Sequence, residues 1–507
     1  GYGPCSFRKD VYTSQLVWED WPTQSRSPVI ETGPWEKVVS KKKKKVVVCF
    51  SILYLLCILF LQCILFFHEK KKRKVMTKAR LTVLICFFFV QAQCQQVFTL
   101  QQAIEKAISD NFSIRIARNQ STILNNNATL GNAGMLPQVN LNGSYVKANN
   151  NVLQELSNGT STEKQNAGQA TVAGSAVLEW VLFDGLTMFS EYNKNTALSK
   201  QGKEQLKAMI EDVIENVSKT YFTVVKEKLL LSSINETLKF YADRLQIADS
   251  KYKIGSASKL DYLQSKVDYN AMLSQKLNKE TDVYNAMVAL NRLLQFSADT
   301  LLKTEDTITF VAMPAISDLI NGLQENTALQ ASKLNMEVNR LQLNSMKGLR
   351  LPVITGLAGY YYNESRNDAG LFSLNRTNGP QFGISARYNL FNGFNSSRQI
   401  SNTKLNYINS QIEYQQTRTN QIADLSSTWN AFQKAQEILT LETENTAAAR
   451  ENASVYLASY RLGSANLLQL NQSQESLYNA LVRLVNAQYN NKTTEIHLLR
   501  LAGKLIK

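Results

Sequence analysis

The chain has 507 residues and a formal charge of +15, enough length for two to four ordinary domains or one large repeated one. The charge is concentrated at the front: residues 1–75 hold 14 Lys/Arg against 6 Asp/Glu, while the chain beyond residue 96 holds 40 against 35. That balance excludes a nucleic-acid-binding body, and because all six cysteines fall at or before residue 94, the body holds neither a thiol catalyst nor a Cys-ligated metal.

Two apolar runs precede the body. Val46–Phe67 lies between lysine runs and is long enough to span a membrane. The second run starts at Met76, the first methionine. Lys78 and Arg80 form a short basic region, Leu81–Val90 an apolar core, and Val90-Gln91-Ala92 a cleavage site. Residues 76–92 therefore read as a secretory signal peptide. A signal peptide begins a polypeptide, so residues 1–75 are expected to be a non-native or over-extended segment, with the mature chain starting near Gln93. Gln91-Ala92-Gln93 is a poor lipidation signal, and no lipid is expected on Cys94.

From Gln95 the chain repeats itself. Asn111, Leu136-Pro137 and Tyr145 return as Asn326, Leu351-Pro352 and Tyr360, an offset of 215. Gly185, Tyr252 and Gly255 return as Gly393, Tyr460 and Gly463, an offset of 208. The two units, 97–313 and 314–507, thus differ in one loop, expected at Asn150–Ala170 in the first and Glu364–Gly379 in the second. Both segments are rich in Asn, Ser, Thr and Gly, as exposed loops are.

Each unit reads helix, strand, loop, strand, long helix, turn, long helix. Helical spacing covers 99–134 and 315–349, and strands are expected at about 138–149, 171–183, 353–363 and 381–391. Val172, Gly174, Ala176, Leu178, Trp180 and Leu182 alternate with polar or small residues, as do Phe382, Ile384, Ala386, Tyr388 and Leu390. Strands of this length with one apolar face suit a bilayer when tilted. Trp180 and Tyr388 at one end, and Tyr145 and Tyr360 at the other, are expected at the two interfaces with outer-membrane lipid. A hairpin half-buried in a soluble sheet is the competing account; strand length, aromatic placement and the export signal count against it.

Helical hairpins are expected over about 190–295 and 395–502. About sixty helical residues span roughly 90 Å. Each hairpin turns at a glycine, in Tyr252-Lys253-Ile254-Gly255-Ser256-Ala257 and Tyr460-Arg461-Leu462-Gly463-Ser464-Ala465. The serine beside each glycine is the expected cap of the returning helix. Four strands cannot close a barrel, and an open sheet edge in lipid leaves costly unpaired backbone groups. Neighbouring chains must complete it: a dimer gives eight strands and a plugged tube, a trimer twelve and a lumen.

These features together resemble the TolC-like outer-membrane efflux protein family: tandem units, Leu-Pro before the first strand, aromatic-x-Leu-Phe-Asx-Gly after the second, and Tyr-x-x-Gly-Ser at each turn. The resemblance covers essentially 97–507. It implies an α+β membrane protein in which two tandem repeats each give two transmembrane strands and long periplasmic helices. The homotrimer would form a 12-stranded β-barrel continued by an α-helical barrel, placed in the outer membrane of a Gram-negative bacterium. Its implied function is the exit duct of a tripartite efflux or type I secretion system, with a periplasmic adaptor and an inner-membrane transporter as partners.

The resemblance also assigns residues. The turns bearing Tyr252, Gly255, Ser256, Tyr460, Gly463 and Ser464 would form the entrance tips that meet the adaptor. Asp261, Gln469 and Gln472 would form the entrance constriction, with neutral glutamines where family members carry an aspartate ring. No cofactor is implied, and an enzyme is not expected: His68 and His497 are the only histidines, and no phosphate loop or nucleophile motif occurs. A periplasmic coiled-coil adaptor is the alternative, opposed by the two alternating strand pairs.

Overall fold

The computed structural model describes residues 97–505. The segments assigned to 1–75 and 76–92, and Cys94, lie outside the described residues. The repeated asparagines explain themselves at once, because each starts a helix and anchors the end of another. Helix α1 (Leu100–Asp110) stops at Asn111, whose side chain accepts from Ser113 N–H to open α2 (Phe112–Asn126). Its amide also donates to the Leu293 carbonyl at 3.2 Å. Asn326 does the same in the second repeat, capping the helix that begins at Thr327 and donating to the Leu501 carbonyl at 3.0 Å.

Strands β1 (Gln138–Glu155), β2 (Ser161–Phe183), β3 (Val353–Asn367) and β4 (Leu374–Arg387) form one antiparallel sheet in the order β1-β2-β3-β4. The register aligns the apolar positions across all four. Leu141 lies opposite Ala176, Ala176 opposite Tyr360, and Ala358 links Leu178 to Phe382. The other face carries Asn140, Asn142, Ser144, Thr171 and Ser175, as the period of two requires. Trp180 joins the apolar face and donates its indole N–H to the Met135 carbonyl at 2.9 Å.

The strands run further than the side-chain pattern indicates. The segments read as loops, 150–170 and 364–379, are largely paired: β1 and β2 stay hydrogen-bonded out to Glu155 and Ser161 past a bulge at Asn150/Val152. β3 and β4 likewise pair out to Arg366 and Leu374. Beyond the apolar layer, ladder hydrogen bonds persist without alternation, so a polar run hides a strand. At the other end β4 stops at Arg387, short of the expected 391, because its partner β3 begins at Val353, opposite Arg387. At 18 and 23 residues, β1 and β2 exceed the 9–11 that cross a bilayer.

Each strand pair hands over to a helix at the repeated Asx-Gly. Gly185 and Leu186 have φ of 75° and 67°, and Gly393 and Phe394 have 66° and 60°, so two consecutive left-handed residues redirect the chain. Helix α3 (Thr187–Lys253) has 67 residues and reaches about 100 Å; α4 (Lys259–Leu294) returns beside it. In the second repeat α5 (Ile316–Gly322) and α6 (Thr327–Gly348) precede the sheet, and α7 (Asn395–Leu462) and α8 (Leu467–Leu501) follow it. Among the described residues no helix is long and apolar enough to cross a membrane.

The core lies where the hairpins meet the short helices. Val217, Tyr221, Val224 and Val225 of α3 pack with Ala103, Ile114, Leu290 and Leu294. The Tyr221 hydroxyl donates to the Phe98 carbonyl at 2.8 Å and accepts from Glu305 N–H; burial pushes its ionisation up to about 12. Beside this core the buried Glu215 meets Arg500 at 2.6 Å, Lys219 at 2.6 Å and His497 at 3.0 Å.

Burial opposes ionisation of Glu215, but hydrogen bonds from His497, Lys219 and Arg500 outweigh it and hold the carboxyl well below its ordinary range. A carboxylate with a depressed folded pKa stabilises above its unfolded pKa, and that contribution fades as pH falls towards the folded value. Thermal stability is therefore expected to fall below about pH 4.5, and Glu215→Gln to flatten that acid limb. An unchanged limb would remove Glu215 from the account.

Candidate functional site

The far ends of the two hairpins are built alike. In the first, Gly255 (φ 77°) donates to the Tyr252 carbonyl at 3.0 Å and Ser256 N–H to the Lys251 carbonyl at 2.8 Å. In the second, Gly463 (φ 84°) donates to Tyr460 at 3.2 Å and Ser464 to Ser459 at 3.0 Å. These crossed bonds are a Schellman motif, which satisfies the last carbonyls of a helix and needs a left-handed residue at the glycine. Open space surrounds both glycines.

The adjacent serines do not cap the returning helices, as the sequence suggested. Ser256 and Ser464 hydroxyls donate back to the Lys251 and Ser459 carbonyls. The caps are Ser258, accepting from Asp261 N–H, and Asn466, accepting from Gln469 N–H. An N-cap accepts from an N–H two or three residues further on, and at these tips Ser258 and Asn466 do so. Asp261 and Gln469 are therefore equivalent third residues of their helices. Gln469 also accepts from Asn466 N–H at 3.1 Å, closing a capping box. Gln469 and Gln472 are both exposed and Asp261 is half-buried.

Between the tips lies a groove of about 720 Å³ bordered by Lys251, Asp261, Gln264, Tyr460, Leu468 and Asn471. Tyr460 is buried on one side of it, and burial raises its ionisation. Lys251 lies 4.5 Å over the Tyr460 ring and donates to its carbonyl at 2.6 Å. Tyr252, by contrast, is exposed and stacks on Tyr262 at 5.8 Å. The two tyrosines are equivalent in sequence and differently placed.

Deeper in, Arg244 of α3 is fully buried. It donates to Asp268 of α4 at 2.6 Å and to Gln474 of α8 at 3.0 Å. Asp268 also accepts from Gln264 and Asn471, and Gln474 donates to the Phe240 carbonyl. Burial lowers the Arg244 pKa against the pull of Asp268 and Tyr241. One guanidinium thus ties three helices together. Sequence reading missed it because the partners are 24 and 230 residues away.

It also missed an aliphatic pair at each tip. Ile254 and Leu260 are 78% and 72% exposed, and their repeat mates Leu462 and Leu468 are 85% and 73% exposed. The shared offset of 208 was the available signal. Among the described residues no group of His, Cys, Asp and Glu could hold a metal ion.

At the sheet, Trp180, Tyr145, Tyr360 and Tyr388 are all substantially exposed. Tyr145 faces the row of Val172 and Glu364, whereas Tyr360 faces that of Leu141 and Ala176, four residues lower along the strands. A constant height along such a stagger requires strands inclined to the barrel axis.

Comparison with known proteins accounts for this plan. The outer membrane efflux protein family model matches residues 103–294 and 321–504, one stretch per repeat. The chain is 20% identical over 315 residues to the outer membrane protein TolC of Vibrio cholerae, covering 61% of this chain and 71% of that protein. Among solved structures it resembles the outer membrane protein VceC of Vibrio cholerae, with TM-score 0.69, 15% identity, and coverage of 80% and 96%. The Campylobacter jejuni CmeC outer membrane channel gives TM-score 0.69, 14% identity, and coverage of 80% and 86%. With both repeats matched, the chain belongs to the outer membrane efflux protein family.

Proposed function

We propose that this chain is one third of an outer-membrane exit duct, whose β-barrel crosses the membrane and whose helices carry the conduit through the periplasm. The observation that carries this reading is the sheet: four strands with one continuous apolar face, two free edges, and a helix of about 100 Å leaving each strand pair. Trp180 and Tyr388 would mark the periplasmic interface, and Tyr145 and Tyr360 the outer one. The polar face lines a wet lumen, and energy for transport comes from an inner-membrane transporter, which also selects the cargo.

A periplasmic adaptor docks at the tips in this reading. Ile254, Leu260, Leu462 and Leu468 are exposed aliphatics around a turn whose glycine has room for a partner. Burying one such side chain contributes about 1.5–3 kcal/mol, and a trimer offers six tips. Gly255, Ser256, Gly463 and Ser464 hold the turn that presents them, while Asp261, Gln469 and Gln472 are the residues proposed for the constriction.

The test is efflux itself. Gly255→Leu and Gly463→Leu put a branched side chain into a left-handed turn and are expected to abolish drug resistance while membrane insertion persists. Gly255→Asn, which tolerates that conformation, is expected to retain resistance. Full resistance in both leucine variants would remove the tips from docking.

A further inference from the structure

The apolar face of the sheet changes character at one height. From the row of Trp180, Gly356 and Ile384 up to that of Gly143, Gly174, Tyr362 and Asn378, no residue on this face is charged. The next two rows carry all of its charges. One reads Tyr145-Val172-Glu364-Arg376, and the row beyond it Lys147-Ala170-Arg366-Leu374. Three of these groups are basic and one is acidic. Every one lies in the row of Tyr145 or past it, at the end of the strands away from the helices.

The acid organises the bases. Only 11% of the Glu364 side chain is exposed, and it accepts from the Tyr362 hydroxyl at 2.6 Å and from the Nε groups of Arg366 and Arg376 at 2.9 Å each. Both guanidiniums are held by that edge, while 69% and 52% of their side chains stay exposed. Two planar cations on neighbouring strands are thus oriented before any ligand arrives. Surface ion pairs contribute little to stability, so stability does not explain their confinement to one height. Lys147 stands two strands away across β2, about 10 Å off, and has no ion pair among the described residues. Between them Gly174, Val172 and Ala170 form the floor of a shallow trough. Just beyond, Asp368 accepts from Gly168 N–H at 3.2 Å, and Lys164, which donates to the Asp368 carbonyl at 2.7 Å, offsets its charge.

We infer that this trough binds the anionic glycolipid of the outer leaflet, with Arg366, Arg376 and Lys147 on the phosphate and acidic-sugar groups of its headgroup. Tyr145 and Tyr362 flank the small floor and offer ring faces to the sugars. Charge complementarity selects this occupant. The lipid-facing side of the sheet is positive only where it meets the outer headgroups, and it carries no charge at the end that meets the inner leaflet. The inference rests on the orientation given in the proposed function, with Tyr145 at the outer interface, and adds a lipid class and the residues that hold it.

Native mass spectrometry of the purified full-chain oligomer tests it, by counting what stays bound from three separate probes. These are a diphosphorylated lipid A bearing acidic core sugars, phosphatidylglycerol, and inorganic phosphate. The glycolipid is expected to be retained and the other two to be lost. Arg366→Gln with Arg376→Gln is expected to weaken its retention about tenfold or more, the loss of charge-assisted hydrogen bonds. Lys147→Gln breaks no ion pair in the chain and is expected to weaken it several-fold, which keeps the test open if the arginine variant assembles poorly. Arg450→Gln, on α7, is expected to change nothing. Equal retention of the glycolipid and either other probe, or of the glycolipid by the parent and Lys147→Gln, overturns the inference. Conductance in a planar bilayer separates it from the reading beneath it: a channel that conducts but ignores the glycolipid overturns this inference alone, and a chain that forms no channel overturns the duct.

Discussion

Asp268→Ala is expected to destabilise the tip by about 3 kcal/mol and to leave the entrance leaky. Removing one partner of a buried ion pair strands the other charge, at a cost of about 3–5 kcal/mol; the lower end applies because Asp268 is partly exposed. Arg244 has no route to solvent, and its Nε already lacks a protein partner among the described residues. The guanidinium clamps the α3–α4 hairpin to α8, so a leaving hairpin must break this node. The thermal midpoint of the purified trimer reads the stability, and single-channel conductance in a planar bilayer reads the leak. Arg244→Met, which removes the charge at similar volume, is expected to cost less than Asp268→Ala. If Asp268→Ala melts and conducts as the parent does, the node carries neither stability nor closure.

The plan was legible wherever one residue does one job twice. Asn111 and Asn326 cap equivalent helices, Gly255 and Gly463 take the same left-handed turn, and the alternation of β2 and β4 survives into the register. What stayed hidden depends on partners that a linear pattern does not encode. The polar outer halves of β1 and β2 pair because the strands are already aligned, so Asn, Ser and Thr there looked like a loop. Ser256 was a plausible cap by type, yet Ser258 is the residue at the right distance from Asp261 N–H. The Gln469 side chain closes the cap of its own helix, a local contact that residue type alone does not announce. Tyr252 and Tyr460 are indistinguishable in sequence; only Lys251 and the neighbouring hairpin set them apart.

Gly185→Ala is expected to have the larger effect of two matched substitutions at the strand-to-helix seams, and the reason is the neighbour rather than the turn. Gly185 and Gly393 both have positive φ, so alanine at either costs about 1–2 kcal/mol of backbone strain. At Gly393 that is the whole cost within one chain, because a Cβ there meets only the Asn395 side chain at 3.8 Å. At Gly185 a Cβ would run into the Gly348 carbonyl at the end of α6. Gly348 is equally confined, since its own Cβ would meet Thr187 and lie 2.6 Å from the Gly185 carbonyl. The two glycines let the end of the second repeat's α6 lie against the seam of the first, which fixes how β2 meets β3. Gly185→Ala must therefore shift α6 or the sheet, and oligomer in the outer membrane is expected to fall by tenfold or more, on the order of 1.4 kcal/mol per decade. Gly393→Ala is expected to fall several-fold less. Quantifying heat-resistant oligomer in membrane fractions decides it: equal yields from the two variants would mean that left-handed strain alone governs the seams and that the Gly185–Gly348 approach is incidental.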